Sequence, residues 1–284
     1  SQAHIIKEQL ANLLIDKDPL ATERLWDQMH RFQVHGRQGT PMIALSAVDC
    51  ALWDLEAKKE GKPVWQLLNL KEPKPTITAY TISLSNPAKM MQDAKSKSDY
   101  PILKIKLGGQ DDEKCIKAVR EGSPNSRIIV DANEGWNIES YNYLVPIFKS
   151  IGVELIEQPF PSNKDHLLKN LDRKIPICAD ESCHDVKSLE KLIGLYDYIN
   201  IKLDKTGGLT EAINLLQAAK KKGFKIMLGC MVGTSLAMAP ALLLSGECDI
   251  VDLDGPLLLK KDRPNPIRYD NFLAFPISEG LWGV

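Results

Sequence analysis

The sequence is poor in the residues that would place it in several common classes. Its six cysteines (Cys50, Cys115, Cys178, Cys183, Cys230, Cys248) include no C-x-x-C pair, and of five histidines only His184 falls near the end of an apolar strand. A Cys/His zinc site is disfavoured, and the scattered cysteines read as buried free thiols of a reducing, cytoplasmic compartment. Lys and Arg (36) balance Asp and Glu (37) to a net charge of −1, which removes the electrostatic case for nucleic acid or an anionic membrane surface. No apolar run approaches the roughly 20 residues needed to span a bilayer, and the first residues lack a signal-peptide pattern. No glycine-rich fingerprint follows a strand, which weakens a dinucleotide-binding reading. What is present is ordinary: 44% hydrophobic, 26% charged, and long enough at 284 residues for one α/β barrel or two smaller domains.

Residues 1–35 carry two helix-period runs, Ile6, Leu10, Leu13, Leu14 and then Leu25, Trp26, Met29, with Pro19 between them. A clearer helix is predicted after Gly39. Thr40 suits its N-cap and Pro41 its first position, while Gly61 and Pro63 close it. Ile43, Ala44, Ala47, Val48, Ala51, Leu52 and Leu55 form its expected apolar face. Lys71 to Pro75 breaks the pattern and reads as the end of a first unit, 1–74.

From Thr76 the chain becomes periodic. Apolar strands begin near Ile77, Ile102, Arg127, Val153, Ile175, Tyr198, Phe224 and Asp249, each 22 to 26 residues after the last, with helix-period segments between them. Such alternation predicts parallel strands joined by crossover helices, and eight of them fit a barrel better than an open sheet. The barrel is expected over 75–259. No helix pairs with the eighth strand, and the tail, 260–284, is expected to return to the first unit.

In such a barrel the chemistry sits at the C-terminal ends of the strands. Three successive strands end there in a carboxylate: Asp131, Glu157 and Asp180. Packed together without a counter-charge they would repel and carry a large desolvation cost, which a hard divalent cation relieves. An all-oxygen donor set with open positions suits Mg²⁺. The plainer reading of each carboxylate alone is a loop charge or a helix cap.

Lysines flank this trio on both sides. Lys104 and Lys106 share one face of the second strand, where mutual repulsion and burial predict that at least one has a lowered pKa. A strand end where both reach water is the plainer reading of that pair. Lys202 ends the sixth strand, across the barrel, so Lys106 and Lys202 are expected to face each other over whatever the metal holds. A carbon acid between them can lose a proton to one and regain one from the other, inverting a carbon α to a carboxylate, while the metal and Lys104 stabilise the enediolate charge. Asp252 and Asp254, at i and i+2 after the eighth strand, point the same way and make an anionic pocket for a cation.

The motifs Lys104-Ile105-Lys106, Asp131-Ala132-Asn133, Glu157-Gln158-Pro159, Asp180-Glu181-Ser182 and Asn200-Ile201-Lys202 together resemble the enolase superfamily. Within it the chain looks like the dipeptide epimerases of the muconate-lactonising-enzyme-like branch. The resemblance implies a (β/α)₇β TIM-type barrel with a smaller capping domain built from both chain ends, and Mg²⁺ on Asp131, Glu157 and Asp180. It implies Lys106 and Lys202 as the acid/base pair and Lys104 on the substrate carboxylate, with Lys205 and Glu181 in support. Asp252 and Asp254 would hold the α-ammonium of a dipeptide, Thr81 or Ser83 would hydrogen-bond it, and Cys230 would lie where strand-seven backbone contacts it. The implied activity is Mg²⁺-dependent epimerisation of a dipeptide, L-Ala-D/L-Glu or a relative. The implied partner is that small-molecule substrate, with association into a homo-oligomer a family habit.

Two departures stand out. The resemblance implies capping strands and a specificity loop that no residue after Ser1 supplies, and Gly233 stands where many Ala-Glu epimerases carry an acidic residue. A cycloisomerase, an o-succinylbenzoate synthase or an N-acylamino-acid racemase could use the same platform. A barrel that only binds, without catalysis, is the reading of another class.

Overall fold

The structure, a computed structural model, describes residues 1–32, 41–277 and 280–283. Eight short parallel strands follow one another in chain order: β1 (Tyr80–Ile82), β2 (Ile102–Lys106), β3 (Arg127–Asp131), β4 (Val153–Glu157), β5 (Ile177–Ala179), β6 (Tyr198–Ile201), β7 (Lys225–Leu228) and β8 (Ile250–Val251). The two edges also meet. Ala79 N donates to the Val251 carbonyl at 2.8 Å and Leu253 N to Thr78 Oγ1 at 2.9 Å, closing the sheet into a barrel.

Period-two alternation sorts what each strand presents to the inside. The lower interior is apolar: Ala79, Ile102, Ile129, Leu155, Cys178, Met227 and Ile250 form one buried cluster. Two residues further along each strand come Thr81, Lys104, Asp131, Glu157, Asp180, Gly229 and Asp252, joined from β6 by Asn200. One barrel interior therefore holds an apolar floor and a charged storey above it. The residues between, among them Leu103, Ile105, Ile128, Val130 and Ile156, point outward into the larger core under the helices. The principal crossover helices are α3 (Pro87–Ser96), α4 (Asp112–Gly122), α5 (Ile138–Ser150), α6 (Leu209–Lys221) and α7 (Ser235–Leu242). The β4–β5 and β5–β6 connections use shorter turns, Ser162–Asn170 and Val186–Ser188 followed by Leu189–Leu192.

The main helices before the barrel are α1 (Thr22–Arg31) and α2 (Met42–Glu60), after a short helical run over residues 2–14 and ahead of a single turn at Val64–Leu67. Together with Leu10 of that first run they form a separate core of Leu25, Met29, Ala44, Leu45, Val48 and Leu52. Trp53 and Ala57 on the same α2 belong instead to the barrel core. The chain end returns here: Trp282 Nε1 donates to the Cys50 carbonyl at 2.7 Å, and Gly283 N to Asp54 Oδ1 at 2.7 Å.

Three local expectations change. The strand at Thr76–Ile77 pairs antiparallel with Leu273–Ala274 in a small three-stranded sheet, and the first barrel strand starts at Tyr80. Thr78 separates them by donating its N–H to the Phe272 carbonyl while its hydroxyl accepts from Leu253 N, two residues past β8. Pro41 stands just before α2, not within it, and the proposed cap Thr40 lies outside the described residues. The buried stripe of α2 is also offset: Leu45, Trp53 and Ala57 are inside, whereas Ile43, Ala47, Ala51 and Leu55 are exposed. Gly61 closes the helix as expected, in the left-handed conformation at φ 60°. Among the described residues, no helix is long and apolar enough to cross a membrane.

Candidate active site

The charged storey is bound together by short ion pairs. Lys104 Nζ sits 2.7 Å from Glu157 Oε2, 3.0 Å from Asp252 Oδ2 and 3.3 Å from Asp131 Oδ2. Lys106 Nζ reaches Asp131 Oδ2 at 2.6 Å. On the far side, Lys202 Nζ lies 2.5 Å from Asp180 Oδ2, and Lys205 Nζ 2.5 Å from Asp180 Oδ1. Strands β2 and β6 are four places apart in a ring of eight, so Lys106 and Lys202 approach from opposite sides. Both line one cavity of about 510 Å³, whose wall also includes Thr81, Cys230, Asp252 and Asp254.

Five carboxyls (Asp131, Glu157, Asp180, Asp252, Asp254) face four ammonium groups (Lys104, Lys106, Lys202, Lys205), and their protonation follows from who is closest. Burial pulls the Lys104 ammonium down, but Asp252, Glu157 and Asp131 override this and hold it well above the usual lysine value. Burial likewise opposes the charge on Lys202, and Asp180 more than restores it. Of the pair Lys104 and Lys106, Lys104 is therefore not the lysine with a lowered pKa: carboxylates surround it and outweigh both its burial and its neighbour. Burial and the neighbouring Asp131 push the Glu157 carboxyl up to about 7. Burial and Asp252 push Asp254 up to about 7 as well. Asp131 and Asp180 are destabilised by burial, yet their lysines keep both below the ordinary carboxylate value.

The trio Asp131, Glu157 and Asp180 is fully buried, and one oxygen from each lies within 4.8 Å of the others. Glu157 Oε2 and Asp180 Oδ1 have no hydrogen-bond partner, although an ammonium stands at ion-pair distance from each. Contact without directed bonding leaves lone pairs on both oxygens that no hydrogen bond uses. That geometry, with hard oxygen donors alone, fits a divalent cation of the Mg²⁺ kind.

Neighbours hold this set in place. Asn200, unassigned in the sequence reading, donates Nδ2–H to Glu157 Oε1 at 2.8 Å. Its position two residues before Lys202, on the same inward face, was the available signal. Gln158, in the left-handed region at φ 36°, accepts from Asp180 N at 2.9 Å and Ser182 N at 3.2 Å, tying β4 to the end of β5. Lys205 also donates to the Asp180 and Asn200 carbonyls at 2.5 and 2.9 Å. Asp254 Oδ2 accepts from Thr81 N at 2.6 Å across the barrel seam. Glu181, Ser83, Asn133 and His184 reach the same cavity.

Two family models cover most of the chain. Residues 1–69 match the N-terminal domain of the mandelate racemase/muconate lactonizing enzyme family, and residues 87–271 match the enolase C-terminal domain-like family. The chain is 46% identical over 240 residues to an N-acetyl-D-glutamate racemase of a Pseudoalteromonas species, covering 84% of this chain and 76% of that protein. It is 41% identical over 221 residues to the L-Ala-D/L-Glu epimerase of Escherichia coli K12, covering 77% and 69%. Among solved structures, an enolase family member from Agrobacterium tumefaciens, homologous to dipeptide epimerases and holding sodium and L-Ala-L-Glu, superposes with a TM-score of 0.90. It shares 42% identity, over 99% of this chain and 82% of that one. The fold, the family models and these relatives agree, and the chain belongs to the mandelate racemase/muconate lactonizing enzyme group of the enolase superfamily.

Proposed function

We propose that this protein is an Mg²⁺-dependent epimerase of dipeptides, L-Ala-D/L-Glu or a related one, working by two-base 1,1-proton transfer at the carbon α to the carboxylate. The observation that carries this reading is the pair Lys106 and Lys202, on opposite sides of one cavity and each paired to a different member of the carboxylate trio. The magnesium complexes of dipeptide epimerases from Cytophaga hutchinsonii and Enterococcus faecalis, at TM-scores of 0.88, support the metal.

Asp131, Glu157 and Asp180 would hold Mg²⁺, which supplies Lewis-acid stabilisation of the substrate carboxylate. Lys104 is buried at 2% exposure with carboxylates around it, so it serves as a fixed positive charge near that carboxylate and takes no part in proton transfer. One of Lys106 and Lys202 removes the α-proton as a neutral amine, and the other delivers a proton to the opposite face. Positioned proton transfer of this kind contributes about 10²–10⁴-fold. Asp252 and Asp254 receive the substrate ammonium. Both carboxyls are buried, and of the two Asp252 pairs with the Lys104 ammonium while Asp254 accepts from Thr81 N, which leaves room for one more positive charge. Thr81 and Cys230 border that pocket. Glu181 supports the metal side, and Lys205 fixes Asp180. The division into 1–74, 75–259 and 260–284 is part of the same proposal, the outer two packing together beside the barrel as a cap.

Deuterium incorporation at the substrate α-carbon in D₂O tests the scheme. Lys106→Ala and Lys202→Ala should each abolish exchange from one stereoisomer while leaving measurable exchange from the other. Unimpaired epimerisation by either variant would refute two-base transfer. A second reading, racemisation of an N-acylated amino acid, is favoured by the Pseudoalteromonas relative. Asp252→Asn with Asp254→Asn separates the two, because an N-acyl substrate carries no ammonium: dipeptide turnover collapses under the first reading, and N-acyl turnover persists under the second.

A further inference from the structure

Asp49 is fully buried in the middle of α2, yet its carboxylate is spent on the barrel. Its Oδ1 accepts from Thr210 Oγ1 at 2.6 Å and its Oδ2 from Thr210 N at 3.1 Å, at the first turn of α6. Trp53, one turn further along α2, donates its indole N–H to the same Thr210 hydroxyl at 3.0 Å. From α1, Trp26 Nε1 donates to the Gly207 carbonyl at 2.7 Å. The glycines between are shaped for this contact. Gly208 sits at φ 119°, and a Cβ there would meet Asp49 Oδ2 at 2.2 Å; a Cβ on Gly207 would meet Leu45 at 2.9 Å.

These bonds converge on one turn. Lys202 opens it, the single helical turn Leu203–Thr206 carries Lys205, and Gly207 and Gly208 end it by donating to the Leu203 carbonyl, both at 3.0 Å. A buried carboxylate is costly unless directed bonds offset the desolvation, and an apolar side chain would pack as well here without that cost. What the carboxylate adds is direction: it fixes where α6 starts, and with it the downstream end of the turn that bears Lys202 and Lys205. Lys104 and Lys106, rooted in β2, have no link to the cap of this kind among the described residues.

We infer that Asp49 is a positioning residue through which the capping helices hold Lys202 and Lys205, and not Lys104 or Lys106, in register with Asp180. The inference rests on the proposed function for its catalytic meaning, but its geometry can be tested without a substrate. Reductive dimethylation by formaldehyde and cyanoborohydride, read lysine by lysine by peptide mass spectrometry, reports how freely each amine is exposed. In Asp49→Asn and Thr210→Val, labelling of Lys202 and Lys205 should rise about threefold or more as the turn opens locally, with Lys104 and Lys106 unchanged. Thr210→Val keeps the backbone N–H bond and the side-chain volume, so it carries the comparison should Asp49→Asn not fold. No rise in labelling, or an equal rise at all four lysines, overturns the inference.

Exchange then adds the catalytic arm. Isotope exchange from the isomer served by Lys202, identified with Lys202→Ala, should fall about tenfold or more, since small misplacements at a reacting centre are costly. Exchange from the isomer served by Lys106 should change by less than about twofold. Loss on both faces alike overturns the inference even if labelling is selective. A wild-type protein that exchanges no dipeptide proton counts against the proposed function, and the labelling comparison still decides the role of Asp49.

Discussion

Gly229 stands directly against Asn200: a Cβ at residue 229 would come 2.5 Å from Asn200 Oδ1 and 2.8 Å from its Nδ2. The absent side chain just past β7 leaves the space that the Asn200 amide fills as it donates to Glu157.

Gly229→Ala should therefore act on the metal and not on the fold. With the amide pushed aside, Glu157 loses its orienting bond, and Mg²⁺ affinity is expected to fall about 10–100-fold, the usual cost of losing a bond to a ligand. Calorimetric titration of the folded variant, with its circular dichroism unchanged, checks this.

The two storeys of the barrel predict a division of labour between neighbours on one strand. Ile129→Ala, in the apolar floor, should cost about 2–5 kcal/mol of stability in urea unfolding. Asp131→Asn, two residues on, should remove Mg²⁺ binding instead. An Ile129→Ala protein that stays folded yet binds no Mg²⁺ would show that the storeys are not separate.

Mg²⁺ should also stabilise the protein by linkage. At a concentration of 100 times its dissociation constant the gain is about 2.7 kcal/mol, visible as a rise in melting temperature that a chelator reverses. Glu157→Gln should melt at one temperature with or without Mg²⁺.

The Asp49 carboxyl predicts a pH dependence. Burial pushes it up to about 6 from an ordinary 3.8, so the folded state binds this proton more tightly than the unfolded state. The contribution is full below the unfolded value and is lost as pH climbs through about 6, a change of about 3 kcal/mol. Comparing urea unfolding of wild type and Asp49→Asn at pH 4 and pH 7 isolates it: wild type should lose stability relative to the variant by roughly that amount. An equal difference at both pH values would contradict the assignment.

The charged storey was legible because it obeys local rules. Lys104 and Lys106, Asp252 and Asp254, and the carboxylates closing β3 and β4 and following β5 all follow from alternation and strand ends, which need only nearby residues. What escaped depends on partners distant in sequence. Ile77 has the pattern of a barrel strand, and only its pairing with Leu273 assigns it elsewhere. The charge state of Lys104 depends on carboxylates from four other strand ends, which a reading of β2 alone does not contain. Asp49 is one polar residue within α2, and nothing in the sequence around it ties it to Thr210.

The barrel seam sets an order of assembly during synthesis. Lys106, Lys202 and the three carboxylates all lie on strand ends up to β6, whereas Asp252 and Asp254 arrive with β8, and Asp254 is seated by Thr81 on the first strand. A nascent chain that has emerged through β7 holds every metal-side group but has an open sheet with two unpaired edges. The pocket proposed to receive the substrate ammonium takes shape only as the last strand joins the first, so an incomplete chain carries the acidic trio without that pocket.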